Sequence, residues 1–281
     1  MKTWKKIVLG VSLISLFLGG GLVAWGYSQG GLTDLQNQTK SEQDYVKKEV
    51  KDFNKIDIKS SNYNVLIKNG DVDKATLSYY QKTKNPIDTS VKDGQLTIND
   101  SNSELDSTSN KHINFFGLKD LVRLSTLNEE VRNKTIVITL PKKQTIDFLK
   151  VDLATGNLDL SNSTIKQADI NLNVGDLTFT KMIVSNLKAN LDVGSVDSNH
   201  TLFTNSDLSI AMGDYSGENL IFNGHNKLDI TSGDIELALK DYTLNVQADS
   251  HSGEVDITNN LKISKDNTLT ITSDLGDITV E

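Results

Sequence analysis

Cysteine is absent from the sequence, which excludes disulfide staples and thiolate metal sites. Proline is nearly absent, at Pro86 and Pro141 only, and arginine is confined to Arg123 and Arg132. The net charge is −8, so the chain lacks the basic excess that nucleic acid rewards, and no nucleic-acid partner is expected. Four histidines, His112, His200, His225 and His251, are scattered without metal-ligand spacing. There is no glycine-rich phosphate loop before a helix and no Gly-x-Ser-x-Gly nucleophile elbow. We read no catalytic residue and no cofactor site, and the chain is expected not to be an enzyme.

The sequence does contain a repeat. From about Phe148 onward the pattern apolar-x-apolar-x-x-Gly-polar-apolar-x-apolar recurs at Gly156, Gly175, Gly194, Gly213, Gly233, Gly253 and Gly276, in steps of 19, 19, 19, 20, 20 and 23 residues. Five residues before each glycine stand Val151, Ile170, Ala189, Leu208, Leu228, Ala248 and Ile271. Two after it stand Leu158, Leu177, Val196, Tyr215, Ile235, Val255 and Ile278. Polar residues fill the places between, an alternation of period two that marks strands with one buried and one wet face. Glycine with its neighbouring Asn, Asp, Ser or Glu supplies the bend between strands. Another apolar column lies nine residues after the glycine, at Ile165, Val184, Phe203, Phe222 and Tyr242.

One such unit is too small to bury a core alone, so the units must stack. A step near 20 residues fits one coil of a parallel β-solenoid, with equivalent positions ~4.8 Å apart on neighbouring rungs. An all-β chain with this ladder is therefore expected to form a β-helix-like stack. The alternative is an antiparallel β-sandwich, which gives no reason for one column to repeat seven times.

The N-terminal segment differs. Lys2, Lys5 and Lys6 precede Ile7–Gly26, twenty residues without a charge, flanked by Trp4 and Trp25. As a helix that run reaches ~30 Å, one hydrocarbon core. The lysines place the N-terminus in the cytoplasm and the rest of the chain, beyond the span, outside. Residues 1–28 are thus read as an uncleaved signal anchor, with the C-terminal domain extracellular, and 29–52 as a polar tether.

Residues 53–147 are read as an irregular N-terminal part of the same β structure. Ile56–Tyr63 is aligned with Leu228–Ile235, which puts Ser61 in the glycine place. Further strands are expected at 75–80, 94–99 and 135–140. An insert at 100–133 begins Ser/Asn-rich, and continues with Phe116, Leu121, Leu124, Leu127 and Val131 at helical spacing around Arg123. It is read as a short amphipathic helix that caps the solenoid or covers a strand edge. The sharper alternative makes Phe116, Leu121, Arg123 and Leu124 a partner-docking element.

The charged start with a single span, Phe53-x-x-Ile56-Asp57-Ile58, the strand ending in Leu140-Pro141 and the Gly-Asp/Asn repeat resemble a bacterial envelope family. It is the putative-adhesin family of β-strand-repeat proteins of Gram-positive bacteria (domain of unknown function 4097, LiaG-like), and the resemblance covers roughly residues 53–281. The resemblance implies an interaction or scaffold role in the cell-envelope stress response, with a membrane protein of that response as partner. An adhesin-like binder of cell-wall polymer or a surface ligand is the first alternative. A polysaccharide-active β-helix enzyme is the last, since such clefts combine carboxylates with Arg or Lys and aromatic platforms and the repeats lack Trp and Arg.

Two features carry the remaining chemistry. Asp214, Asp234 and Glu254, each directly after a repeat glycine, would stack as an acidic ladder and form a weak cation site if half-buried. Turn chemistry alone also accounts for them. The chain's last strand, with Thr279, is expected to lie at the open end of the stack, as an edge for self-association or strand addition.

Overall fold

The computed structural model describes residues 43–82, 86–100 and 134–281. The expected membrane anchor, most of the tether and the insert residues Phe116, Leu121, Arg123 and Leu124 lie outside the described residues. Among the described residues there is no helix, and the strands obey the apolar–polar alternation of the sequence.

The irregular N-terminal part holds β1 (Gln43–Glu49), β2 (Lys55–Ser60), β3 (Asn64–Gly70), β4 (Thr76–Lys82), β5 (Asp88–Lys92), β6 (Gln95–Asn99), β7 (Thr135–Pro141) and β8 (Thr145–Ile146). Regular coils of three strands come next. The first is β9 (Phe148–Thr155), β10 (Leu158–Ser161) and β11 (Thr164–Ile165). The second is β12 (Ala168–Val174), β13 (Leu177–Thr180) and β14 (Ile183–Ser185), and the third is β15 (Leu187–Val193), β16 (Val196–Asn199) and β17 (Leu202–Thr204). After β18 (Asp207–Met212), β19 (Tyr215–Asn223) serves two faces in one strand. Then come β20 (His225–Ser232), β21 (Ile235–Leu239), β22 (Asn245–Ser250), β23 (Val255–Ile257), β24 (Thr268–Leu275) and β25 (Ile278–Val280).

Equivalent strands stack parallel and in register, giving three faces. Val151, Ile170, Ala189, Leu208 and Leu228 align along the long face. Leu158, Leu177, Val196, Tyr215 and Ile235 align along the middle face. Ile146, Ile165, Val184, Phe203 and Phe222 align along the short face. These columns are buried and form the core. Among the described residues antiparallel pairing is seen where β4 meets β7 and β5 meets β6, while every coil-to-coil pairing from β9 onward is parallel, so the sandwich alternative is overturned.

Three corners turn each coil. At the glycine corner, six of the seven repeat glycines have φ between +139° and +150°. The other two corners use Asn162, Lys181, His200 and Asn219, then Asn186, Asn205 and Gly224, all with φ between +48° and +66°. Asn tolerates that region best among residues with a side chain, which explains why Asn dominates corners that carry no glycine signature.

Three expectations are corrected. The N-terminal alignment is off by two residues. Val65 pairs with Leu158 and Ile58 with Val151, so Tyr63, not Ser61, stands beneath Gly156. A slip of two keeps every side chain on its face, so the alternation could not reveal it. The tether region is not polar coil throughout, because β1 joins β4 at the end of the middle face and Val46 packs on the core.

The third correction concerns the order of coils. β24 lies between β20 and β22, and β25 between β21 and β23. The last strand in sequence is therefore an inner one, with Thr279 paired to both Glu236 and Asp256. The earlier segment, β22 and β23, forms the outermost rung. The inner rung brings the larger apolar side chains: Leu269, Ile271, Ile278 and Val280, at most 1% exposed. Val246, Ala248 and Ile257 of the outer rung are weaker core residues and only partly buried.

Candidate functional site

The repeat glycines form one continuous ladder in space, in the order Gly156, Gly175, Gly194, Gly213, Gly233, Gly276, Gly253. A Cβ at Gly194 would lie 2.0 Å from the Gly175 carbonyl oxygen, and at Gly213 2.0 Å from that of Gly194. The same close approach recurs at every rung, so backbone packs on backbone. Glycine is required here both for its φ and for its missing side chain.

The residue after each glycine knits the rungs. Asn157 Oδ1 accepts from Asp176 N–H at 2.9 Å, Asp176 Oδ1 from Ser195 N–H at 3.0 Å, and Ser195 Oγ from Asp214 N–H at 3.3 Å. Asp214 Oδ1 accepts from Asp234 N–H, Asp234 Oδ1 from Asp277 N–H, and Asp277 Oδ1 from Glu254 N–H, at 2.8–2.9 Å. Asp214, Asp234 and Glu254 are thus not three successive rungs, since Asp277 stands between the last two. Asp214 and Asp234 each spend a carboxylate oxygen on a backbone donor. Among the described residues no three His, Asp or Glu side chains converge as a metal site.

The outer surface of the long face carries a second pattern. Asp57, Lys150, Asp169, Lys188, Asp207 and Lys227 succeed one another along one register column. Opposite charges on adjacent strands attract, and a one-rung slip would set like charges together. Beside that column, Asn190 Nδ2 donates to Asn171 Oδ1 at 2.9 Å and Asn171 Nδ2 to Asp152 Oδ1 at 3.0 Å. Compensation is confined to that column: along β9, β12, β15, β18, β20, β24 and β22 the lysines are Lys150, Lys188 and Lys227, and Lys150 and Lys227 pair with Asp152 and Asp229 of their own strands.

The middle face is different. Its outer column reads Asp159, Thr178, Asp197, Ser216, Glu236, Thr279, Asp256. No Lys or Arg stands on β10, β13, β16, β19, β21, β23 or β25. Residues 151–281 hold 20 of the 37 acidic side chains but only seven of the 29 Lys and Arg, and this face with its adjoining glycine corner holds many of them. Asp159 is the one under most stress. Its Oδ1 is shielded from solvent without a hydrogen-bond partner, and burial pushes its carboxyl up to about 6 against a weaker pull from Lys68. Both patterns are present in the sequence at the 19-residue step, in the polar columns rather than the apolar ones.

At the N-terminal end of the glycine ladder, buried Asp100 closes the first coil. It accepts from Ser60 Oγ at 2.9 Å and from Ser61 N–H at 2.6 Å, and burial raises its pKa despite those bonds. A recess of about 250 Å³ lies nearby, between the end of β1 and the β5–β6 hairpin, lined by Lys48, Lys51, Thr89 and Ser90 among others. His200 and His225 sit at two different corners, and His251 on the outermost rung.

Among the described residues these features define a three-faced parallel β-solenoid with ladders of polar side chains on its outer faces. The chain belongs to the Toastrack DUF4097 family, whose model matches residues 53–281. No curated protein matches it by sequence. Among solved structures it is similar to a putative adhesin from Bacteroides fragilis, at 14% identity over 85% of this chain and 97% of that one, with a TM-score of 0.38. A putative cell adhesion protein from Clostridium sporogenes is 15% identical over 85% and 98%, TM-score 0.31. A putative lipid binding protein from Parabacteroides distasonis is 11% identical over 84% and 96%, TM-score 0.33.

Proposed function

We propose that the chain is a non-enzymatic interaction scaffold of the cell envelope, held to the membrane by its N-terminal apolar segment and displayed outside. Its work in this reading is to hold a partner protein of the envelope-stress response against the middle face. The observation that carries it is the contrast between two faces of one solenoid. On the long face one outer column alternates Lys with Asp, whereas the middle face sets carboxylates on strands that hold no basic residue. Net negative charge across several rungs offers steering and orientation to a basic partner surface.

Photo-crosslinking in intact cells tests this, with probes at Thr178 and Ser216 on the middle face and at Ser209 on the long face. The expected result is a discrete adduct with one membrane protein from the middle-face probes only. Diffuse labelling of wall material would instead favour an adhesin-like binder of wall polymer, checked by sedimentation with purified cell walls. Equal labelling from Ser209 would overturn the assignment of the face.

A further inference from the structure

We propose that the outermost rung, β22 with β23, is a self-pairing edge through which two copies of this chain join end to end. Among the described residues no strand lies beyond β22 on the long face or beyond β23 on the middle face. The N-terminal end is finished differently, by antiparallel strands: the β5–β6 hairpin closes the long face and β4 on β7 begins the closure of the middle face. Antiparallel additions break the solenoid register and blunt further parallel stacking. The C-terminal end has no such finish among the described residues.

The backbone of β22 shows which groups are free to pair. Asn245 N–H bonds to Asn267 O at 3.0 Å and His251 N–H to Ser273 O at 2.9 Å, both on the β24 side. Alternation in a parallel ladder then directs the N–H and C=O groups of Val246, Ala248 and Ser250 away from the molecule. Their side chains face the core and are only partly buried, so a strand laid along β22 covers an incomplete apolar layer as well as satisfying backbone groups. Val255 and Ile263, 41% and 86% exposed, stand on the same rung or its adjoining loop.

The residue order of β22 favours a second copy as the occupant. An antiparallel pair centred on Ala248 sets Ala248 opposite Ala248 and Val246 opposite Ser250. The one acid of the strand, Asp249, then faces the Gln247 amide of the other copy and not another carboxylate. The same two-fold brings the Glu254 end of one strand beside the Thr243 end of the other, where Lys262 is bridged to Thr243. Asp241, which accepts from Thr243 N–H, lies at the same end, so Lys262 offsets two carboxylates there.

The chain has no cysteine, so single-cysteine variants of the full chain report directly. Under mild oxidation in native membranes, Ala248→Cys is expected to give a covalent dimer, because directly opposed residues of an antiparallel pair lie within disulfide reach, about 5.5 Å between Cα atoms. Thr279→Cys, on the inner strand, is expected to stay monomeric. Light-scattering mass of the detergent-solubilised full chain is expected to show a dimer that Ala248→Pro, which removes an outward N–H, converts to monomer with little change in melting temperature. A monomeric mass for the unaltered chain, or an Ala248→Cys adduct with a different protein, overturns the proposal.

Discussion

Asp159 and the repeat glycines show how single residues limit this fold. The Asp159 carboxyl, whose Oδ1 is shielded without a hydrogen-bond partner, has its pKa raised to about 6 by burial. The folded chain therefore holds that proton more tightly than the unfolded chain, where the group titrates at ~4. Stability contributed by this residue is present below that lower value, and is lost as pH rises through about 6. Asp159→Asn is expected to raise the urea midpoint at pH 7 and to flatten the decline between pH 4 and 6, both readable from unfolding curves at stepped pH. Gly194 is limited by space and by φ at once, with φ +148° and the Gly175 carbonyl 2.0 Å from any added Cβ. Gly194→Ala is expected to cost about 3 kcal/mol or more, measured by equilibrium unfolding.

At the scale of the element, strands are held to their neighbours by inner and outer ladders of different strength. Inside, Phe179 and Phe203 meet edge to face at 5.3 Å, and Phe203 stacks on Phe222 at 5.7 Å. Phe203 is 1% exposed and bridges the middle and short faces, so Phe203→Ala is expected to lose about 3–5 kcal/mol by the same measurement. At the glycine corner, each Asx side chain serves one N–H of the next rung. Asp176→Ala removes the acceptor of Ser195 N–H at a half-exposed turn, where water can replace it, so a loss of only about 1 kcal/mol is expected. The core column outweighs the corner ladder by several-fold.

For the whole molecule, charge is polarised along the chain. The repeats from residue 151 carry 13 more acids than bases, while the net charge of the chain is −8, so residues 1–150 are net basic. Repulsion among the stacked carboxylates acts over distances near the Debye length, which shrinks from roughly 14 Å at 0.05 M to roughly 4 Å at 0.5 M salt. Raising sodium chloride over that range is expected to increase the melting temperature by about 2–5 °C, monitored by circular dichroism. The end rungs differ in finish, so the described solenoid also has a direction: an N-terminal end closed by antiparallel strands and a C-terminal end left open.

The sequence by itself determined the coil, because its information is local and periodic. Apolar residues every second position set the buried columns, and a glycine near every nineteenth set one corner; both survive in the structure residue for residue from Val151 to Ile235. The Lys–Asp column of the long face was equally present in the sequence, and was legible to the same 19-residue step. Two things were decided only in the tertiary structure. Register in the first coil was one, since a two-residue slip preserves the face of every side chain and only the pairing of Val65 with Leu158 settles it. The stacking order at the C-terminal end was the other. Rungs compete for inner places by how well they fill the core, and Leu269, Ile271 and Ile278 displace Val246, Ala248 and Ile257 to the rim. Chain order does not encode that competition; burial does, and it moves the exposed edge from Thr279 to Ala248.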